Sequence, residues 1–212
     1  MYSLNELESL IYKASIGAGL PVGCAQDIGT AGVWLARRRF PVFTILARAL
    51  EEGYDAATQY VATAKGGEFL SARAAVTGPS AIDLLIAGDA NDAEVHLLGL
   101  DAPALLLGLA GVAADNYGIT FSVAITNCRY VVGPDGDVDA MSFPIEGPVD
   151  VLLRRSVDMD RKPLLEAPSR YDPISVADTG KPALDALAWK TYVPASAHSR
   201  ISGAGAGLTD ND

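Results

Sequence analysis

The chain has little cysteine and little histidine. Cys24 and Cys128 are its only cysteines, and His96 and His198 its only histidines. Two cysteines in 212 residues make neither a disulfide framework nor a zinc site. Two histidines exclude a His-rich metal centre, so no metal site is expected. Long apolar runs are lacking too. The longest, Pro103 to Ala114, is interrupted by Gly108 and Gly111. It falls short of the roughly 18 residues a membrane span needs. The first residues, MYSLNELESL, have neither the basic start nor the apolar stretch of a signal peptide. A cytoplasmic location with no membrane partner is the expectation. Basic residues are scarce as well: 16 Lys and Arg face 26 Asp and Glu, for a net charge of −10. Such a surface repels phosphate backbones at long range, so no nucleic-acid partner is expected.

What is abundant is apolar. Hydrophobic residues make up 50% and charged residues only 20% of the chain, with a mean hydropathy of +0.22. With no membrane span to absorb it, such composition predicts apolar surface buried between subunits, in a homo-oligomer or against a partner subunit.

The periodicity predicts helices over residues 3–52. Ser3 and Glu6 fit a capping box. Leu4, Leu7, Leu10, Ile11 and Ala14 then form a stripe at helical spacing. Gly17 and Gly19 stop it. Pro21 opens a second helix with Ile28, Ala31, Gly32 and Leu35 inward and Arg37, Arg38 and Arg39 in its last turn, where cations complement the dipole. Pro41 opens a third, with Phe43, Leu46 and Leu50 inward. From Val61 to Ala87 the pattern weakens, with Gly66, Gly67, Gly78 and Pro79 as punctuation. Strands are predicted at 82–86, 94–100, 119–125, 128–132, 138–143 and 149–153. A buried helix is predicted over 103–116, ended by Gly118. Residues 158–182 read as a long ordered connection. Pro182 to Tyr192 reads as a last helix, striped by Leu184, Leu187, Ala188 and Tyr192. The expected class is α+β, in one domain over 1–212: a helical part (1–55), a strand-rich core (56–157) with a mainly antiparallel sheet, and a connection, helix and terminal loop (158–212).

Several motifs carry possible chemistry. Asp135, Asp137, Asp139 and Glu146 fall at positions one, three, five and twelve of a calcium loop. Position six is Ala140 where the turn needs glycine, and the flanks read as strands, so a solvated hairpin is expected. Cys128 precedes Arg129, which would favour a thiolate. Successive strand residues face opposite ways, so a buried inert thiol is expected. His96, mid-strand, reads as structural. The span GLPVGCAQDIGTAGVWLARRRF loosely suggests a DNA-binding helix pair, but the acidic chain favours plain helix packing. Asp115, Asn116 and Tyr117 read as an ordinary turn, with a cleft-facing trio as the alternative.

The chain closes with SAHSRISGAGAGLTDND. Gly203, Gly205 and Gly207 alternate with alanine, which suits close backbone approach. Consecutive amides there can cradle an anion, and Arg200 can grip a carboxylate or phosphate. No lysine follows as in a Walker loop, and no strand–turn–helix context makes it a dinucleotide fingerprint.

The opening SLNELESLIYKASIGAGLPVGCAQDIGTAGVWLA and the ending TYVPASAHSRISGAGAGLTDND resemble a bacterial family of uncharacterised proteins about this long. The resemblance implies no activity and contributes no catalytic residues. It implies a characteristic glycine-rich terminus closing on Asp-Asn-Asp, and so a structured one. His198 departs from the acidic residue the pattern leads one to expect. On these grounds the expected function is a small-molecule metabolic enzyme that binds a small polar or anionic substrate. Arg200, Gly203, Gly205, Gly207 and Asn211 would bind it. Asp210, Asp212 and His198 are the catalytic candidates. The alternative is a non-catalytic subunit of a heteromeric enzyme. No cofactor is indicated.

Overall fold

Ser3 opens helix α1 (Leu4–Gly17) with both halves of the expected capping box. The Glu6 amide donates to Ser3 Oγ at 3.2 Å, and the Ser3 amide donates to Glu6 Oε2 at 2.8 Å. The backbone and side-chain bonds to Ser3 hold the Glu6 carboxyl below its ordinary range. In this computed structural model the described residues are 1–54, 58–88, 93–134, 142–156, 174–177 and 179–192. After α1 come α2 (Val22–Arg37), α3 (Val42–Ala49), β1 (Gln59–Thr63), β2 (Gly66–Leu70) and α4 (Ala74–Ala87). Then follow β3 (Glu94–Leu100), α5 (Pro103–Tyr117), β4 (Thr120–Ile125), β5 (Cys128–Val132), β6 (Val149–Ser156) and α6 (Lys181–Trp189). The class is α+β.

The six strands form one sheet in the order β1-β2-β3-β6-β4-β5. Only β2 and β3 pair in parallel; the other pairs are antiparallel. The last of the described strands, β6, is thus inserted between β3 and β4. Alternation sends Val95, Leu97, Val151, Leu153, Phe121 and Val123 into the core. α5 is apolar nearly all round and is buried from Pro103 through Gly111. Its glycines allow α2 to approach: a Cβ on Gly108 would lie 3.0 Å from the Ala31 carbonyl oxygen, and one on Gly111 2.2 Å from the Trp34 ring. Gly118 ends it with φ +66, the left-handed stop that glycine favours.

Three expectations fail here. Residues 82–86, read as a strand, lie in α4. Its buried positions, Ala74, Ala75, Gly78, Ala81, Ile82 and Leu85, recur at helical spacing, and Pro79 forgoes one helix hydrogen bond. Gly66 and Gly67, read as punctuation, lie inside β2. A Cβ on Gly66 would lie 2.3 Å from the Glu94 carbonyl oxygen, so glycine there serves close pairing with β3. Tyr192, placed on the stripe of α6, lies beyond its end and is exposed. Of the expected strand over 138–143, residues 138–141 lie outside the described residues, and Ser142 and Phe143 form a turn and bend. Most of 158–182 lies outside them too. Within it, Ile174 bridges Tyr2 beside α1.

Candidate functional site

The residues singled out at the terminus lie outside the described residues: His198, Arg200, Gly203, Gly205, Gly207, Asp210, Asn211 and Asp212. So do Asp135, Asp137 and Asp139 of the calcium-like motif, while Glu146 is exposed. The described residues bring together a different cluster.

It sits where the parallel pair ends. The carboxyl ends of β2 and β3 lie side by side, α4 starts four residues after the end of β2, and α5 starts just beyond β3. Sheets with parallel strands place ligands at this end, where helix amides converge. A cleft of about 550 Å³ opens there, with Leu70, Leu98 and Pro148 as apolar walls. Its charged lining is Arg48, Glu52, Arg73 and Asp101. Two backbone irregularities shape the mouth. Ser71 holds φ +53, a strained value for a residue with a Cβ. Gly99 holds φ +66 at a bulge in β3 and donates its amide to Asp150 Oδ1 at 2.8 Å.

Asp101 is the centre of the cluster. Its side chain is 6% exposed and that of Arg73 is 10% exposed. Oδ1 accepts the Ala74 amide at 2.7 Å, capping α4 from across the chain. Oδ2 lies 2.9 Å from Arg73 Nε, an ion pair whose angle misses the hydrogen-bond line, so neither atom has an aligned partner. The Asp101 backbone is held by the Gly147 amide, which donates to its carbonyl at 2.8 Å. Burial pushes the Asp101 carboxyl above its ordinary range, against the downward pull of the Ala74 amide and of Arg73. Arg73 Nη1 also meets the carboxylate of Glu52, which is 58% exposed. Arg48 Nη1 pairs with Glu51 at 2.5 Å. Two guanidinium groups thus line the cleft, each held by one half of the Glu51–Glu52 dipeptide.

The other sequence candidates fall elsewhere. His96 is partly exposed, with Nε2 3.6 Å from Glu94 Oε1. Partial burial raises the Glu94 carboxyl, but Arg154, bonding Oε2 at 2.6 and 2.9 Å, brings it below its ordinary range. Cys128 is exposed, not buried. It opens the edge strand β5 beside the hairpin turn, where the opposite Ile125 fills the core alone. Arg129 does point elsewhere, donating Nε–H to Ser122 Oγ at 2.8 Å. Asp115 accepts the Trp34 indole N–H at 3.1 Å, while Asn116 and Tyr117 are exposed. Arg38 ends α2 stacked 3.6 Å over the Trp34 ring. Among the described residues no group of three or more His, Cys, Asp or Glu is arranged to hold a metal. Nor is any described helix long and apolar enough to cross a membrane.

The family model DUF3726, a protein of unknown function, covers residues 2–94. The DUF3726 region runs from α1 to the first residue of β3 and so holds Arg48, Glu51, Glu52 and Arg73; Asp101 lies beyond it. The glycine-rich ending that carried half of the resemblance also lies beyond it. No curated protein and no solved structure matches the chain.

Sequence reasoning missed the cluster because its parts are scattered. One signal was present. Arg73 in LSARAAV and Asp101 in LLGLDAPALLL are lone charges inside apolar stretches, which folding buries together with the stretch.

Proposed function

We propose that the protein binds a small polar or anionic molecule of metabolism in the Arg73–Asp101 cleft and acts on it as an enzyme. The observation that carries this reading is the buried, misaligned Arg73–Asp101 pair on the cleft wall. Buried ion pairs are weak stabilisers that apolar residues often replace without loss. Placing one on the wall of a cleft is better explained by a role toward a ligand than by stability. Arg48 and Arg73 are suited to anchor an anionic group. Asp101, with its carboxyl raised by burial, is the group suited to exchange a proton with substrate. The terminal residues complete the site in this reading: Arg200 as a further grip, the amides of Gly203, Gly205 and Gly207 with Asn211 as lining, and Asp210, Asp212 or His198 as acid–base groups. The twenty residues after Tyr192 reach up to roughly 66 Å if extended. Ile201 and Leu208 alone do not offset the cost of ordering them, roughly 1–2 kcal/mol per residue; a ligand would.

The test compares the full chain, a chain lacking residues 201–212, and Arg48→Ala. Melting is followed with a panel of small carboxylates and phosphates. The compound that most stabilises the full chain is expected to lose at least half of its shift in either variant. If no compound shifts the full chain, or both variants respond like it, the reading falls.

A second reading, a subunit that works by association, draws on β1. All five of its residues are exposed, Tyr60 and Val61 among them, and an edge strand of that kind invites a further strand. A symmetric homo-oligomer is the expected form. Light scattering that returns a 22.1 kDa particle at high micromolar concentration counts against it.

A further inference from the structure

We infer that Glu52 occupies the place of the ligand's own anion, and that this anion is a carboxylate on a short aliphatic body. The inference rests on the cleft being a small-molecule site and adds the chemical class and the way it is admitted.

Arg73 has two carboxylate partners of opposite character. Asp101 is buried, takes the Ala74 amide on its other oxygen, and has its backbone held by Gly147. It cannot leave without uncapping α4. Glu52 reaches Arg73 from the turn after α3 with its side chain 58% exposed. A surface partner of that kind is held weakly and is free to rotate into water. Glu52 meets Nη1 of the guanidinium, while Nε is turned to the buried Asp101. A planar carboxylate from solution matches Nη1 as Glu52 does. Arg48 repeats the arrangement, with Glu51 as its exposed partner.

The surroundings choose between anions. Arg48 and Arg73 face Glu51, Glu52 and Asp101, which leaves the cluster with a formal excess of one negative charge. A phosphate dianion meets more repulsion there than a single carboxylate. Leu70, Leu98 and Pro148 offer a hydrocarbon body an apolar wall and offer a phosphate nothing. Glu52 thus sets the affinity by competition: it keeps Arg73 paired when the cleft is empty and yields to a carboxylate that also brings apolar contact.

The experiment uses the full chain and sodium butyrate as probe, with inorganic phosphate as comparator, followed by NMR titration of the backbone and arginine N–H signals. Glu52→Gln keeps size and removes charge at an exposed site, so it is expected to fold. It should tighten butyrate binding about threefold to fivefold, the strength of one exposed ion pair. Glu8→Gln on α1 makes the same change in net charge away from the cleft and should not tighten it. If Glu52→Gln binds butyrate no better than the parent, or Glu8→Gln gains as much, the displacement is overturned. If phosphate binds and butyrate does not, or neither binds up to about 20 mM, the carboxylate assignment is overturned. Arg48→Ala separates the two levels: loss of butyrate binding there, with no gain in Glu52→Gln, keeps the cleft and removes only the displacement.

Discussion

Replacing Arg73 by alanine is expected to lower folding stability by about 3–5 kcal/mol at neutral pH, the cost of stranding one member of a buried ion pair. Asp101 would keep the Ala74 amide but lose Arg73, the cation among the described residues that contacts its buried oxygen. The sign with pH follows from its carboxyl. Burial already raises it in the folded protein, and Arg73 is one of the groups that pull it down. Without Arg73 it rises further. A carboxyl whose folded pKa exceeds its unfolded one binds more protons when folded, so stability falls as pH rises through the folded pKa and is regained as pH falls below it. Arg73→Ala should therefore recover part of its loss between neutral pH and the ordinary carboxylate range, and the parent should change less. Urea unfolding at several pH values measures both. A loss that is the same at every pH would mean that Asp101 is not the stranded group. The double variant Arg73→Met with Asp101→Leu separates structure from function. Apolar replacement of a buried pair is often neutral, but leucine also removes the oxygen that caps α4 at the Ala74 amide, a loss of about 0.5–2 kcal/mol, so the double variant should be less destabilised than Arg73→Ala and yet fail to respond to carboxylates. If it is less destabilised and still responds, the pair is structural.

Local signals were legible and long-range ones were not. The capping box at Ser3, the glycine stop at Gly118 and the apolar run of α5 depend on neighbours within one helix turn, and the sequence displays them directly. The α4 region misled because its Ile82–Ile86 stretch is short and, Asp83 apart, apolar. Such a run fits a buried strand as well as a helix. Gly78 and Pro79 looked like breaks. Gly78 is instead a point of contact, where a Cβ would lie 2.6 Å from Leu109 Cδ1. β1 escaped because QYVAT shows no strict apolar alternation, and β2 because glycine lowers strand propensity, whereas here Gly66 is required by the approach of β3. The cleft was illegible for a related reason. Arg73 caps nothing in its own sequence neighbourhood, and Asp101 caps α4 rather than the helix that follows it. Only the parallel pairing of β2 with β3 brings them together, and no local periodicity encodes which strand lies beside which.

Trp34→Ala is expected to cost a similar amount, about 3–5 kcal/mol, and for a reason that couples it to the site. Trp34 is 5% exposed and fills the space that Gly111 leaves open. Its indole N–H is held by Asp115 at the far end of α5, and Arg38 covers the ring at 3.6 Å. Truncation removes the ring where the facing helix has no side chain to fill the gap. Partial collapse would draw α5 toward α2. α5 starts at Pro103, two residues after Asp101, so a shift of its axis displaces the carboxylate that caps α4. Gly111→Leu supplies the missing volume. In the parent background it overpacks against the indole, by about 1–3 kcal/mol or more; in the Trp34→Ala background it should be stabilising. Leucine also favours helix over glycine, but that gain is common to both backgrounds and cancels in the double-mutant cycle. The cycle should therefore return a coupling of about 1–3 kcal/mol in favour of the combination. The combination should also restore ligand response lost in Trp34→Ala, because the axis of α5 returns with the volume. A coupling near zero would show that Trp34 and Gly111 do not share the space between the helices. Restored stability without restored ligand response would show that the position of Asp101 does not depend on how α5 packs against α2.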